Sequence, residues 1–256
     1  MILCLDVGNS QLFCGVFNGE ELQTQFRRSS QGGASADEFG IFLCSALELN
    51  RIGRDSITNI VACSVVPDVI YSLRHCCQKY FNIDPLFMRP GIKTGLKIRY
   101  KDPREVGADR IADALGATKL YPNRNLVVVD FGTATTVCAV TRDSEFLGGN
   151  IIPGVRLAME ALEARTAQLP SVEIKPMTTA VGRTTVESIQ SGLYWSSFGA
   201  VRELVQRITA EVFPDEPTLV VGTGGFASLF SDTDLFDAIV PDLILVGLLE
   251  ALRLNR

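Results

Sequence analysis

The stretch 3–17, LCLDVGNSQLFCGVF, sets an acidic residue, Asp6, at the end of an apolar run. A carboxylate in that position must be hydrogen-bonded, paired or bound to a cation, because burying it alone is very costly. The stretch 127–140, VVVDFGTATTVCAV, poses the same problem about half a chain later. Superposing Asp6 on Asp130 also sets Gly8 on Gly132, Asn9 on Thr133, Cys14 on Cys138 and Val16 on Val140. Each copy reads as strand, tight turn, strand, and the recurrence points to a duplicated fold.

The flanking sequence supports a duplication. Residues 2–7, 11–18 and 21–28 read as three strands joined by turns at VGNS and NGEE. A helix follows in SADEFGIFLCSALEL, with Ser35 and Glu38 spaced as a capping box and Phe39, Phe42, Leu43, Ala46 and Leu47 on one face. A strand at 58–65, a helix from about Pro67 to Tyr80, a short strand from Leu86 to Met88 and a helix from near Gly107 to before Pro122 complete this half. The pattern then restarts with strands at 126–130, 134–141 and 145–151 and a helix in IPGVRLAMEAL. A long helix capped by Thr184 and Glu187, a strand in TLVVGTGG and further helices close the chain. This order predicts two α/β domains, residues 1–118 and 119–256, and its period is far too long for a solenoid.

Bulk properties exclude several classes. With 256 residues and 46% hydrophobic composition the chain can bury a full core. A net charge of −5 without a basic run argues against nucleic acid as a partner. The seven cysteines are odd in number and lack C-x-x-C spacing, so they read as reduced core residues. His75, Cys76 and Cys77 are adjacent and so point in different directions on a helix, which disfavours a metal reading. His75 is the only histidine, which leaves little room for a Ser-His-Asp triad. No secretory signal or bilayer-length apolar stretch is visible, and the expectation is a cytoplasmic protein with no membrane partner.

In a strand-Asp-x-Gly-turn-strand unit, glycine permits a tight turn, and successive amides can point at an anion over it. The adjacent carboxylate would repel phosphate unless a cation lay between them, so Asp6 and Asp130 imply metal, most naturally the Mg2+ that accompanies ATP. Taken singly, an Asp-x-Gly turn is merely a hairpin; the recurrence with Asn9, Ser10, Thr133, Thr135 and Thr136 favours phosphate. Gly222, Gly224 and Gly225 form a third glycine-rich turn that would let backbone approach adenine and ribose, though no Walker A pattern is present. In EVGADRIAD, Asp109 could accept a hydroxyl proton and Arg110 bind an anionic substrate. Spacing alone reads the same residues as an ordinary charged helix start, with Arg110 and Asp113 as solvated neighbours.

The motifs DVGNS at 6–10, GADRIAD at 107–113, VVVDFGTATTV at 127–137, GGNIIPG at 148–154, TTVESIQSG at 184–192 and GTGG at 222–225 occur in one order from end to end. In that order the chain resembles the type III pantothenate kinases of the acetate and sugar kinase, heat-shock protein and actin superfamily. The resemblance implies an α/β fold of duplicated ribonuclease-H-like (actin-like ATPase) domains with mixed sheets flanked by helices. It implies ATP-dependent phosphorylation of pantothenate to 4'-phosphopantothenate, the first step of coenzyme A biosynthesis, by a homodimer. ATP contacts would come from Asp6, Val7, Gly8, Asn9, Ser10, Gln11, Leu12, Phe13 and Thr133, with Asp6 at the Mg2+. Pantothenate would be met by Tyr100, Gly107, Ala108, Asp109, Arg110 and Thr185, Asp109 being the proton acceptor. Asp130 would hold a monovalent cation, K+ or NH4+. Ser10 stands where the family usually has threonine, and alignment through ESIQSG favours Thr185 over its neighbour Thr184. Retention of Asp6, Asp109, Arg110 and Asp130 together argues against a non-catalytic ATP-binding regulator, and a phosphatase or acetate-type kinase of the same superfamily would share the aspartate turns without reason to carry GADR after a tyrosine.

Overall fold

The computed structural model describes residues 1–29, 34–166 and 168–256. They form two compact α/β units, each built on one mixed sheet with flanking helices. The first unit comprises Met1–Leu96, Asp102–Lys119 and Leu243–Arg256; the second comprises Lys97–Lys101 and Leu120–Asp242.

In the first unit, strands β1 (Ile2–Val7), β2 (Gln11–Asn18) and β3 (Glu21–Ser29) form an antiparallel meander. Helix α1 (Ala36–Leu49) leads to β4 (Asn59–Ser64), and helix α2 (Pro67–Phe81) leads to β5 (Leu86–Phe87). The sheet order is β3-β2-β1-β4-β5, with β4 parallel to β1. The capping box is realised: Ser35 Oγ accepts from the Glu38 amide at 3.2 Å while Glu38 Oε2 accepts from the Ser35 amide at 2.7 Å. Alternate residues of β1 serve two cores. Leu3, Leu5 and Val7 pack with Leu12, Cys14 and the apolar faces of α1 and α2, whereas Ile2 and Cys4 point to the other side with Phe13, Phe17 and Cys63. Covering both faces explains why the strand reads as a continuous apolar run rather than an alternating one.

The second unit repeats the plan with strands β7 (Asn125–Phe131), β8 (Ala134–Val140), β9 (Glu145–Pro153), β10 (Thr218–Thr223) and β11 (Ala238–Ile239). A short strand, β6 (Lys97–Ile98), adds to the β9 edge, giving the order β11-β10-β7-β8-β9-β6. Removing β6 leaves the order of the first sheet, strand for strand. Helices α4 (Val155–Arg165) and α5 (Thr185–Val212) pack with Val127, Val129, Phe131 and Val137. At the start of α5, Thr184 Oγ1 accepts from the Glu187 amide at 3.2 Å, but Glu187 Oε2 takes the Arg183 amide at 2.7 Å, one residue beyond the reciprocal box.

The register shows where the ungapped superposition fails. Asp6 pairs with Phe13 across the first hairpin, while Asp130 pairs with Thr136 across the second, so the second turn is one residue shorter. Leu5 faces Cys14 but Val129 faces Val137, which makes Val137, not Cys138, the counterpart of Cys14. Cys14 and Cys138 therefore point to opposite faces of their sheets, the consequence of a one-residue offset in a period of two.

The chain's end returns to the first unit. Helix α3 (Ala108–Leu120) and the final helix α6 (Leu243–Leu254) cover the Ile2, Cys4 and Phe13 face together. The two helices touch through glycine: a Cβ at Gly247 would stand 1.8 Å from the Ala112 carbonyl, and one at Gly116 would stand 2.4 Å from the Leu243 carbonyl. A linear division at 118/119 assigns α6 to the second domain, whereas the fold joins it to the first unit.

Candidate active site

Within the first unit, the β1–β2 turn and the start of α3 supply the chemistry. Asp6 is the last residue of β1 on the face that carries α3, at the level where Gly8 and Gln11 close the turn through a 2.9 Å Gly8 amide to Gln11 carbonyl bond. That amide is taken up inside the turn. Asn9 and Gln11 are exposed, while Val7 and Leu12 bury their side chains against α1 and α2 and can meet a ligand only through backbone.

Asp6 is half-buried, and burial pushes its carboxyl up to about 7. The Cys63 thiol opposes this by donating to Asp6 Oδ1 at 3.1 Å; the negative charge of Asp109 raises the carboxyl further and Arg27 lowers it. Cys63 lies directly beside Asp6 in the β1–β4 register. Burial first, then the charges of Asp6, Asp109 and Asp113, hold its thiol well above the ordinary range, so it stays a proton donor.

Asp109 stands in the first turn of α3. Its Oδ1 accepts from the Arg110 amide at 2.8 Å, satisfying one of the free donors at a helix start. Gly107 makes this possible, because a Cβ there would sit 2.4 Å from Asp109 Oδ1. That bond is the ordinary one of a charged helix start, and the negative charge of Asp109 raises the Asp6 carboxyl. Arg110 and Asp113 are not solvated neighbours; they are buried, at 6% and 5% exposure. The sequence offered no signal for that beyond the apolar residues around them.

Asp130 occupies the matching position in the second unit, between two glycines. A Cβ at Gly132 would lie 3.0 Å from Asp130 Oδ2, and one at Gly224 would lie 2.2 Å from Oδ1. Gly224 also has φ +86°, which favours glycine. Gly154 presses on the same turn, donating to the Thr133 carbonyl at 3.2 Å, and a Cβ there would meet the carbonyls of Gly132 and Thr133. The three glycines of 222–225 thus have separate reasons: Gly222 packs under Phe236, Gly224 admits the Asp130 carboxylate, and Gly225 faces open space.

Tyr100 and Thr185 also belong to the second unit. The Tyr100 ring packs on Phe146, centroids 6.4 Å apart, over Gly148. Thr185 is exposed at the first residue of α5, while the Thr184 hydroxyl is taken up by capping. Unit one thus gathers Asp6 through Phe13 with Gly107 through Arg110, and unit two gathers Asp130 and Thr133 with Gly154 and Gly224. Cys63, Arg27 and Asp113 had no sequence signal of their own; only strand register and helix packing bring them to Asp6 and Asp109.

The donor chemistry fits cations of two kinds. Asp6 is a carboxylate whose charge burial disfavours and a cation would restore, as Mg2+ sites built on one carboxylate and substrate oxygens require. Among the described residues no group of three or more His, Cys, Asp or Glu could hold a metal by itself, so further ligands would be phosphate or water. The Asp130 carboxylate and the Ala134 carbonyl oxygen both lie close to Gly132, and such hard oxygen atoms are the kind that suit an alkali cation.

A family model described as type III pantothenate kinase matches residues 2–207. The type III pantothenate kinase of Legionella pneumophila (strain Corby) is 53% identical over 255 residues, covering 100% of this chain and 99% of the relative. Type III pantothenate kinase 1 of Francisella tularensis subsp. holarctica (strain OSU18) is 43% identical over 256 residues, covering 100% of both. Among solved structures, a candidate 2-dehydro-3-deoxygalactonokinase from Sinorhizobium meliloti matches with a TM-score of 0.62 at 14% identity, covering 99% of this chain and 96% of that one. The activator of the 2-hydroxyisocaproyl-CoA dehydratase from Clostridium difficile, with bound ADPNP, matches with a TM-score of 0.53 at 15% identity, covering 98% and 92%. At these identities the two structures show the fold alone, that of the sugar kinases and actin-like ATPases.

Proposed function

The chain belongs to the type III pantothenate kinase family, whose members phosphorylate pantothenate with ATP in coenzyme A biosynthesis, and from this premise we propose how its residues divide the work. Asp109 is the proton acceptor. It takes the proton of the pantothenate primary hydroxyl as that oxygen attacks the γ-phosphorus; the bond to the β,γ-bridging oxygen breaks, and its electron pair leaves with ADP. The observation that carries this reading is geometric: the Arg110 amide fixes the Asp109 carboxylate at the start of α3, the helix packed on the sheet face from which Asp6 projects. One Asp109 oxygen is tied to the Arg110 amide, which orients the other for the hydroxyl.

Asp6 would hold Mg2+ with phosphate and water oxygens, and the β1–β2 turn from Asp6 to Phe13 would track the polyphosphate. Bound Mg2+ supplies positive charge that offsets the charge of the phosphates. Asp130 would hold K+ or NH4+, with Thr133 beside it contacting ATP. Tyr100, Gly107, Ala108, Arg110 and Thr185 would bind pantothenate, Arg110 meeting its carboxylate as guanidinium groups do. A homodimer and a cytoplasmic location rest on likeness to the family; no helix among the described residues is long and apolar enough to cross a membrane.

The test is incubation with Mg-ATP, K+ and pantothenate, with phosphopantothenate detected by mass. Asp109→Asn is expected to retain ATP binding and lose turnover by about 100-fold or more, the scale of lost general-base assistance. Near-normal turnover in that variant would remove Asp109 from the role.

A further inference from the structure

Four residues on adjacent strands line up across the first sheet. Cys63 on β4 pairs with Asp6 on β1, Asp6 with Phe13 on β2, and Phe13 with Arg27 on β3. Directly paired residues share a face, so the four side chains form one row on the side that carries α3. The row has a polarity: a thiol donor, a carboxylate, an aromatic ring and a guanidinium.

Arg27 is the member with no assigned task. Its Cα lies two strands from that of Asp6, about 10 Å at the usual strand spacing. The side chain reaches across to β2, with its guanidinium carbon 3.8 Å from the Phe13 ring centroid. From there its charge reaches Asp6 and lowers the Asp6 carboxyl. Arg27 nevertheless makes no ion pair with any described residue, unlike Arg74, Arg99, Arg104, Arg142 and Arg253. Stacking an exposed guanidinium on a ring is a weak attraction, enough to orient the group without satisfying its donors. The neighbouring arginine, Arg28, points to the opposite face over Phe39 and Phe42 and has no such relation to the turn.

Resting on the kinase reading above, we propose that Arg27 is a phosphate-binding residue of the ATP site. Phe13 holds its guanidinium beside the Asp6 turn, where it contacts an oxygen of the polyphosphate whose cation Asp6 holds. A planar, permanently charged fork suits phosphate oxygens, and the aromatic platform limits the freedom lost on binding. Asp6 and Arg27 then act on the same anion from two sides, one through a cation and the other directly.

The test compares wild type, Arg27→Gln and Arg27→Lys in the full chain. Calorimetry with Mg-ADP and with adenosine separates phosphate contacts from base and ribose contacts; steady-state kinetics separate the two substrates. Arg27→Gln is expected to weaken Mg-ADP and raise KM for ATP about tenfold, the scale of one charge-assisted contact, with adenosine affinity and KM for pantothenate changed less than twofold. Arg27→Lys recovers part of the loss. Mg-ADP affinity within twofold of wild type in Arg27→Gln overturns the proposal, as does a lowered thermal midpoint with nucleotide affinity unchanged, which marks a structural clamp. A rise confined to KM for pantothenate also overturns it, because the guanidinium would then read the acid substrate. Wild-type protein that binds no Mg-ADP and forms no phosphopantothenate overturns the kinase reading itself, and this proposal with it.

Discussion

Asp6 carries opposite consequences for stability and for ligand binding. Burial holds its carboxyl up to about 7, whereas in the unfolded chain it titrates near the ordinary carboxylate value of about 4. Between these values the folded protein binds the extra proton, so this group's contribution to stability is complete below about pH 4 and is lost as pH rises to about 7. Asp6 is only half-buried and water at the turn screens it, so the contribution is on the order of 1–2 kcal/mol rather than the full shift. In the absence of Mg2+ and nucleotide, Asp6→Asn should flatten this part of the pH–stability curve and leave the protein more stable than wild type at pH 8. Denaturant unfolding at pH 5 and pH 8 reads both effects; an unchanged slope in the variant would show that Asp6 is not the group responsible. The same substitution should remove the Mg2+ dependence of nucleotide binding. The sequence revealed that Asp6 was costly, since an acid in an apolar run needs a partner. It could not reveal that the partner is Cys63, because only the β1–β4 register sets them side by side.

At the scale of elements, turns decide what each aspartate faces. The glycines of the β10 turn offer an internal comparison. Ala at 224 would have to adopt φ +86° and crowd Asp130 Oδ1, while Ala at 225 would meet nothing within 4 Å. Gly224→Ala should therefore cost about 2–4 kcal/mol and diminish activation by K+, whereas Gly225→Ala should stay within about 0.5 kcal/mol of wild type. Thermal unfolding of the two variants and a K+ titration of activity measure the contrast, and equal behaviour would contradict the packing described for Asp130. Strands and helices were legible because glycine, proline and capping residues punctuate this chain clearly, with Ser35 and Glu38 as one example. The offset between the two hairpins was not. Matching Cys14 with Cys138 looks reasonable in letters, but a turn shorter by one residue reverses the face of everything after it.

For the whole molecule, the return of α6 to the first unit carries a sharper prediction than the duplication does. LILVGLLEALRL is apolar enough to read as buried, but burial in sequence does not name the sheet that provides it. In the fold, Leu243, Leu245, Leu248, Leu249 and Leu252 are all buried, and α6 packs with α3 over Ile2, Cys4, Phe13 and Cys63. At roughly 1.5–3 kcal/mol for each such leucine, α6 contributes on the order of 10 kcal/mol, comparable to the whole stability of a typical domain. A chain ending at residue 242 should therefore lose the first unit. The second unit keeps its core, since Val127, Val129, Phe131, Tyr194, Val201 and Phe230 pack without α6. Hydrogen exchange should then find β7, β8 and α5 protected and β1, β2 and β4 unprotected, although every residue of those three strands is still present. Protection of β1 equal to that in the full chain would mean that the first sheet stands without α6, and the leucine face would need another reason to be apolar. The milder variant Gly247→Ala, which forces α6 away from the Ala112 carbonyl, should lower stability by about 1–3 kcal/mol and weaken protection in the first unit alone.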